Sequence, residues 1–228
     1  MKKQGKSLTF GEEVEGFTVP VLNEREIRAA AGMMFLALFI SFVLILFNGN
    51  FLLVKYVIVV FFTDFSIRVL VSPRFSPALI AGRLIVGGQA PEYVGAKQKK
   101  FAWTIGLALS GLMFVLLVVL NSYSVFTGVT CLVCLFFLFF ESAFGICLGC
   151  LVYELLTKNE AVHCAGEACS KAPKQAIQKT TGLQLFILVG CLIAILAMVI
   201  FFNEAFRVAP KNLKEILHAT AFSGALNP

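Results

Sequence analysis

The chain has 228 residues, of which 59% are hydrophobic and only 14% are charged. A soluble domain of this size needs more polar residues to cover its core, so the composition excludes the soluble class and indicates an integral membrane protein. The formal net charge of +6 comes from scattered Lys and Arg residues without an interleaved base-stacking platform, and we therefore expect no nucleic-acid partner.

Five apolar segments approach the ~20 residues that a helix needs to cross the hydrocarbon of a bilayer. They cover residues 29–47, 51–71, 102–120, 123–140 and 185–202. Lys55, Asp64 and Arg68 interrupt the second segment, but Lys55 lies near one end, where its side chain can reach the interface. The predicted fold class is all-α: an integral membrane helical bundle with a four-helix core plus a fifth transmembrane helix, in contact with membrane lipid.

The loop charges predict the orientation of this bundle. Residues 1–28, 74–100 and 158–179 carry five, five and four Lys or Arg residues, whereas the connections at 48–50 and 121–122 carry none. Basic loops stay in the cytoplasm, so we expect a cytoplasmic N-terminus. The predicted organisation is a cytoplasmic N-terminal segment (1–28), a four-helix bundle (29–156), a cytoplasmic cysteine-containing loop (157–182), a fifth transmembrane helix (183–203) and a C-terminal tail with a short amphipathic helix (204–228).

Helix-start signals refine this organisation at two places. Asn23 followed by Glu26 is typical of a capping box, which predicts that the first helix begins just before the membrane and argues against a cleaved signal peptide. Ser76 and Pro77 suit the cap and first position of a short helix near 77–86, which we expect along the membrane surface. From Tyr123 onward the fourth span is predicted to remain helical well past Glu141.

Charged residues within the spans are the first functional candidates. Asp64 and Arg68 lie four residues apart and share a helix face, where they can neutralise one another. At 1.5 Å per residue, Asp64, Arg68 and Glu141 fall towards the cytoplasmic side of the bilayer. Two interpretations remain open: a polar binding site, or a structural arrangement in which Arg68 bridges two acids.

The cysteines form the second group of candidates. Cys131, Cys134 and Cys191 lie within apolar spans, where small packing residues are the simpler interpretation. The other four form the pattern C-x2-C-x13-C-x4-C, and they are Cys147, Cys150, Cys164 and Cys169. One interpretation is a thiol relay, in which one thiolate attacks and its partner resolves the mixed disulfide. The alternative is a zinc site made by these four thiolates, with His163 as a further candidate ligand.

Several stretches together carry a resemblance to a known family. They are "NEREIRAAAG", "DFSIRVLVSPRFSP", "KKFAWTIG" and "ESAFGICLGCLVYELL" followed by "CAGEACS". In this order and spacing, residues from about 23 to about 170 resemble the bacterial membrane family known as domain of unknown function 4395. The resemblance implies a four-helix membrane domain without an assigned activity in a bacterial inner membrane. Fusions of some members to rhodanese-like or thioredoxin-like domains suggest sulfur transfer or thiol redox chemistry and partners of those kinds.

The resemblance also marks individual positions. Matched by motif are Asp64, Arg68, Pro73, Ser76, Pro77, Glu141, Cys147, Gly149, Cys150, Cys164 and Cys169. The fifth span and the tail lie beyond the usual extent of the family, which suggests a surface for assembly into a membrane complex.

Three functional hypotheses follow. The first is thiol redox or sulfur transfer at the cytoplasmic face, with Arg68 stabilising a thiolate or an anionic sulfur species. The second is a non-catalytic accessory subunit with structural or zinc-binding cysteines. The third is a small anion or proton transporter using Asp64, Arg68 and Glu141. Whether the chain is an enzyme, and which cofactor it uses, is left open by the sequence.

Overall fold

The described part of the chain contains seven α-helices and two short sheets. The computed structural model describes residues 10–12, 14, 17, 19–157 and 180–212. The helices are α1 (Glu24–Asn48), α2 (Leu52–Ser66), α3 (Pro77–Val86), α4 (Ala96–Met113), α5 (Val125–Phe139), α6 (Leu148–Thr157) and α7 (Gly182–Arg207). π-Helical turns extend α2 (Ile67–Val71), α4 (Phe114–Val119) and α5 (Phe140–Phe144), and a 3₁₀ turn covers Pro73–Phe75. The strands are β1 (Val21–Asn23), β2 (Tyr93–Gly95), β3 (Ser122–Tyr123) and β4 (Lys211–Asn212), with β1 antiparallel to β2 and β3 parallel to β4.

Four of the described helices are long and apolar enough to cross a membrane. They are Glu24–Asn48, Ala96–Val119, Val125–Phe144 and Gly182–Arg207. Large apolar side chains on these helices point outward, including Phe47, Val125 and Phe201, which are each at least 80% exposed. An apolar surface of this extent is unfavourable in contact with water but is stable in contact with lipid. The predicted fold class is therefore confirmed: the protein is an all-α, multi-pass membrane bundle whose helices contact lipid.

The second predicted span is also helical. α2 and its π-helical end contain 15 and five residues, which gives a length of about 30 Å. Lys55, Asp64 and Arg68 interrupt its apolar sequence, yet all three side chains are at least 97% buried. Their charges are therefore hidden from lipid inside the bundle. This helix is not among the four described helices that are long and apolar enough to cross a membrane, so a crossing at the second segment stays a prediction.

The N-terminus of α1 is fixed by its cap and by α3. Asn23 is the N-cap: its side chain accepts a hydrogen bond from the Arg25 amide (3.2 Å) and donates one to the Glu26 carboxylate (2.9 Å). α3 begins at Pro77 with Ser76 as its N-cap and packs against α1. A Cβ at Gly82 would lie 2.5 Å from the Glu26 carbonyl oxygen, so only glycine permits this approach. Arg83, on the same helix, is buried and paired with Glu26 at 3.0 Å.

The last helix is attached to the bundle at both ends. At the start of α7, Gln184 donates to the Arg74 carbonyl (3.1 Å) and accepts from Arg83 (3.4 Å). At its other end, the Lys55 ammonium donates to the carbonyl oxygens of Phe206 (3.3 Å) and Val208 (2.8 Å). Lys55 thus binds the negative end of the α7 dipole, whereas snorkelling had been expected from the sequence. The middle of α7 lies on the outside of the bundle.

Candidate functional site

The chain breaks its helical path immediately before the first cysteine pair. The helix that starts at Val125 ends in the π-helical turn Phe140–Phe144, and Gly145 then adopts a left-handed conformation with φ of 69°. The Ile146 amide donates back to the Phe140 carbonyl at 3.1 Å, which closes the turn. The expectation of a continuous helix well past Glu141 was wrong, because a residue with this φ ends a right-handed helix.

Cys147 and Cys150 lie at the start of the new helix. The Cys147 carbonyl accepts hydrogen bonds from the amides of Cys150 (2.9 Å) and Leu151 (3.1 Å), so Cys147 precedes α6 and Cys150 lies in its first turn. Both are free thiols. A hydrogen bond with Cys147, together with burial, raises the pKa of the Cys150 thiol. Cys150 therefore holds its proton more firmly than an ordinary thiol, while the positive end of the α6 dipole favours negative charge beside it.

α6 is pressed against α4 at the level of this pair. A Cβ at Gly149 would lie 2.6 Å from the Ala102 Cβ and 2.8 Å from its Cα. No side chain fits in that space, so close packing against Ala102 explains why this position in "CLGC" is a glycine. The contact fixes the position of both thiols relative to the side chains of α4.

Lys99 is a buried cation beside the thiols. Its side chain is 1% exposed, and its ammonium contacts Glu141 at 2.7 Å and Glu24 at 2.9 Å. Cys147 and Cys150 both lie within its electrostatic range. The ammonium thus joins α1, α4 and the turn after α5 beside the dithiol. The candidate site therefore contains a buried cation, two carboxylates and two thiols.

Lys99 and Glu24 are site residues that the sequence did not reveal. Lys99 had entered only as one of several loop charges that predict orientation. The available signal was its position, because "KKFAWTIG" places a lysine next to the apolar run of α4. Its partners could not be identified, since Glu24 and Glu141 are 75 and 42 positions away.

Asp64 and Arg68 form a separate cluster at the start of α3. Arg68 pairs with Asp64 at 2.6 Å. Asp64 accepts hydrogen bonds from the Ser76 hydroxyl (2.7 Å) and the Ala78 amide (2.9 Å), so this carboxylate caps α3 from a different helix. The Arg68 guanidinium stacks on the ring of Trp103 at 5.2 Å. These contacts favour the structural interpretation of the pair.

The predicted binding residues therefore divide into two groups. Among the described residues, no hydrogen bond or ion pair joins Asp64 or Arg68 to Glu141. Glu141 forms an ion pair with Lys99 next to the thiols. The cation beside the thiols is therefore Lys99, and it is not Arg68. Pro73 begins the 3₁₀ turn and Pro77 the helix α3, so these two matched positions shape the connection that carries Ser76.

A cavity lies beside the dithiol. It is enclosed by α2, α4, α5 and the start of α6, and most of its lining side chains are apolar. Its polar lining comes from Ser110, Cys134, Glu141 and Cys147. Cys134 had been interpreted as a packing residue remote from the inner pair, yet it and Cys147 line the same cavity. Cys131 and Cys191 line no part of it.

The zinc interpretation involves residues that lie mostly outside the described part of the chain. Cys164, Cys169 and His163 belong to residues 158–179, which are not described, as do most of the loop 157–182 and the tail beyond residue 212. Within the described ranges, no three His, Cys, Asp or Glu side chains lie together in a way that could hold a metal ion.

Comparison with known proteins identifies one relationship. The family model described as domain of unknown function (DUF4395) matches residues 22–158. This range contains the bundle up to α6, the Lys99 cluster and the pair Cys147 and Cys150, whereas α7 lies outside it. No curated protein and no solved structure is significantly similar to the chain. Because the match covers more than half of the sequence, the protein belongs to the DUF4395 family.

Proposed function

We propose that this protein carries out thiol redox chemistry or sulfur transfer at the cytoplasmic face of a bacterial inner membrane. Cys147 and Cys150 are the reacting pair, and Cys164 and Cys169 are a second pair in the following loop. That second pair exchanges electrons or sulfane sulfur with a soluble thioredoxin-like or rhodanese-like protein. The basic loops support a cytoplasmic N-terminus, which places α3, α6 and the dithiol on the same side.

The single observation that carries the proposal is the environment of the C-x-x-C pair. Its two thiols lie at the start of a ten-residue helix, within electrostatic range of the buried ammonium of Lys99. Helix N-termini and neighbouring cations are the features that stabilise a reactive thiolate. A cysteine used only for packing needs neither of them.

The two cysteines have different roles in this proposal. Cys147 as the thiolate attacks a sulfur of a substrate disulfide and releases one substrate thiolate. Cys150 then loses its proton and attacks the Cys147 sulfur of the mixed disulfide, which releases the second substrate thiolate and leaves a disulfide between Cys147 and Cys150. The substrate gains two electrons and the dithiol loses two, and the reverse sequence oxidises a substrate dithiol. With a persulfide donor, Cys147 takes the outer sulfur and the donor leaves as a thiolate.

The test uses the full chain in lipid nanodiscs, equilibrated with glutathione buffers of increasing oxidation and analysed by mass spectrometry after thiol blocking. We expect a two-electron conversion of Cys147 and Cys150 to an intramolecular disulfide. Cys150→Ser should accumulate a mixed disulfide on Cys147, because the resolving thiol is missing. Cys147→Ser should accumulate much less on Cys150, and Cys191→Ser serves as the matched control from α7.

Two results would overturn the proposal. One is a pair of thiols that remain reduced at every glutathione ratio while the chain stays folded. The other is equal reactivity of the Cys147→Ser and Cys150→Ser variants, since the proposal assigns attack to one cysteine and resolution to the other.

The alternative hypotheses receive less support from the contacts. Asp64 is paired with Arg68 and accepts hydrogen bonds at the start of α3. These two charges are therefore not free to line a path for a transported ion. The accessory-subunit hypothesis retains the exposed apolar surface of α7 as a docking surface for another membrane protein, but lipid covers such a surface equally well.

A further inference from the structure

The cavity beside the dithiol is large enough for a ring-sized ligand. The volume open to the centres of water molecules is about 70 Å³. One water needs roughly 10–15 Å³ on this measure, so there is room for about five waters, or ~150 Å³ of liquid volume, which is close to the space that admits a six-membered ring. Gly106 lies in the cavity wall directly against the Phe65 ring, because a Cβ there would lie 2.9 Å from that ring.

The chemistry of the lining selects a neutral, mostly apolar ligand. Aromatic rings from Phe65, Trp103 and Phe137 contribute much of the wall. The Lys99 ammonium is paired with two carboxylates, and the Arg68 guanidinium, which stacks on Trp103, is paired with Asp64. Neither cation is therefore available to bind an anionic ligand. Anionic thiols such as glutathione are therefore disfavoured in the cavity. A few polar groups at its cysteine end suit a ligand with an apolar body and a polar edge.

We propose that this cavity binds the head group of a membrane-soluble quinone, which accepts the two electrons of the Cys147–Cys150 dithiol. The inference rests on the proposed thiol function and names its electron acceptor. Two of the cavity walls, α4 and α5, are membrane spans, so a ligand dissolved in lipid lies at the right depth. The polar edge of the ring faces Glu141 and Cys147, and its apolar face lies against the aromatic side chains.

The reaction is balanced without another reagent. The two thiols lose two electrons and two protons as one sulfur–sulfur bond forms. The quinone gains the same two electrons and two protons and becomes a quinol. Glu141 lines the cavity next to Cys147 and is the carboxylate positioned to carry a proton between sulfur and quinone oxygen.

Trp103 provides a direct measure of binding, because it is the single tryptophan of the chain and lines the cavity. The reduced full chain in nanodiscs is titrated anaerobically with decylubiquinone and, separately, with a menaquinone carrying one isoprene unit. We expect saturable quenching of Trp103 fluorescence by at least one of them, together with one quinol and one Cys147–Cys150 disulfide per chain. Quenching that only rises linearly with quinone in the lipid, with no disulfide, overturns the inference.

A matched pair of variants tests the location. Cys134→Phe fills the cavity from α5, whereas Leu132→Phe adds the same ring to a side chain that is 50% exposed outside it. Cys134→Phe should weaken quinone binding and slow quinone reduction by about tenfold or more, and Leu132→Phe should change neither. Ser110→Leu fills the cavity from α4 and gives an independent test should Cys134→Phe fail to fold. Equal effects of the filling and control variants would place the quinone elsewhere and refute the cavity assignment.

Exchange with glutathione disulfide separates this inference from the proposed function. A dithiol that equilibrates with glutathione but reduces neither quinone leaves the proposed function standing and sinks the quinone site. A dithiol that reacts with neither oxidant sinks both.

Discussion

Replacing Lys99 with methionine tests the reasoning about the candidate site most directly. Lys99 is 1% exposed, and its ammonium is the shared partner of Glu24 and Glu141. Methionine keeps most of the side-chain volume but leaves two carboxylates facing one another that are only 14% and 15% exposed. Breaking a buried ion pair by removing one partner costs about 3–5 kcal/mol, and we expect a loss of that size in the free energy of unfolding.

The assay is reversible unfolding of the full chain in detergent micelles, followed by circular dichroism. Lys97→Met is the matched control, because Lys97 is exposed on the same helix and its loss should change stability by no more than about 0.5 kcal/mol. Adding Glu24→Gln and Glu141→Gln to Lys99→Met should restore much of the loss, since no uncompensated charge then remains buried.

The same variant should also change the chemistry of the thiols. Without the ammonium nearby, the Cys147 thiolate loses electrostatic stabilisation, so the rate of Cys147 alkylation by iodoacetamide at fixed pH should fall. A Lys99→Met variant as stable as Lys97→Met, with unchanged alkylation, would refute the reasoning that Lys99 holds the site together and activates the pair.

Three further substitutions test other parts of the structure. Gly145→Ala forces a side chain onto a φ of 69° and should cost about 1–2 kcal/mol in unfolding experiments, whereas Gly88→Ala, which meets no atom within 4 Å, should cost less. Asp64→Ala removes both the Arg68 pair and the cap of α3, so we expect about 3–5 kcal/mol of destabilisation in the same assay; a loss below about 1 kcal/mol would contradict the buried-pair assignment. Lys55→Met frees the carbonyl groups at the end of α7, and proteolysis after that helix should become faster; an unchanged rate would argue against Lys55 as the anchor of α7.

Much of the fold follows from local sequence. The apolar runs predict membrane helices because a bilayer requires about 20 residues without exposed charge. Ser76 and Pro77 predict the start of α3, and Asn23 predicts the start of α1, because caps satisfy backbone groups within a few residues of themselves. These signals depend only on neighbours in the chain, so they can be read without a structure.

The candidate site was predicted only in part. The C-x-x-C spacing and Glu141 were visible in the sequence, and both lie beside the cavity. Lys99 was missed because its role comes from Glu24 and Glu141, which belong to other helices. Cys134 was assigned to packing because it lies within an apolar span. Its position along one helix could not show that it lines a cavity formed by several helices.

What the sequence by itself determined is the class of protein, the number of long apolar segments, the caps of the short helix and the presence of paired thiols. Only the tertiary structure decided which charges meet, so that Arg68 supports α3 while Lys99 faces the thiols. It also decided that the helix ends at Gly145 and that α6 begins directly after Cys147. The physical reason is that hydrophobicity and capping are properties of a segment. Charge pairing and cavity shape, in contrast, depend on the packing of helices that are distant in sequence.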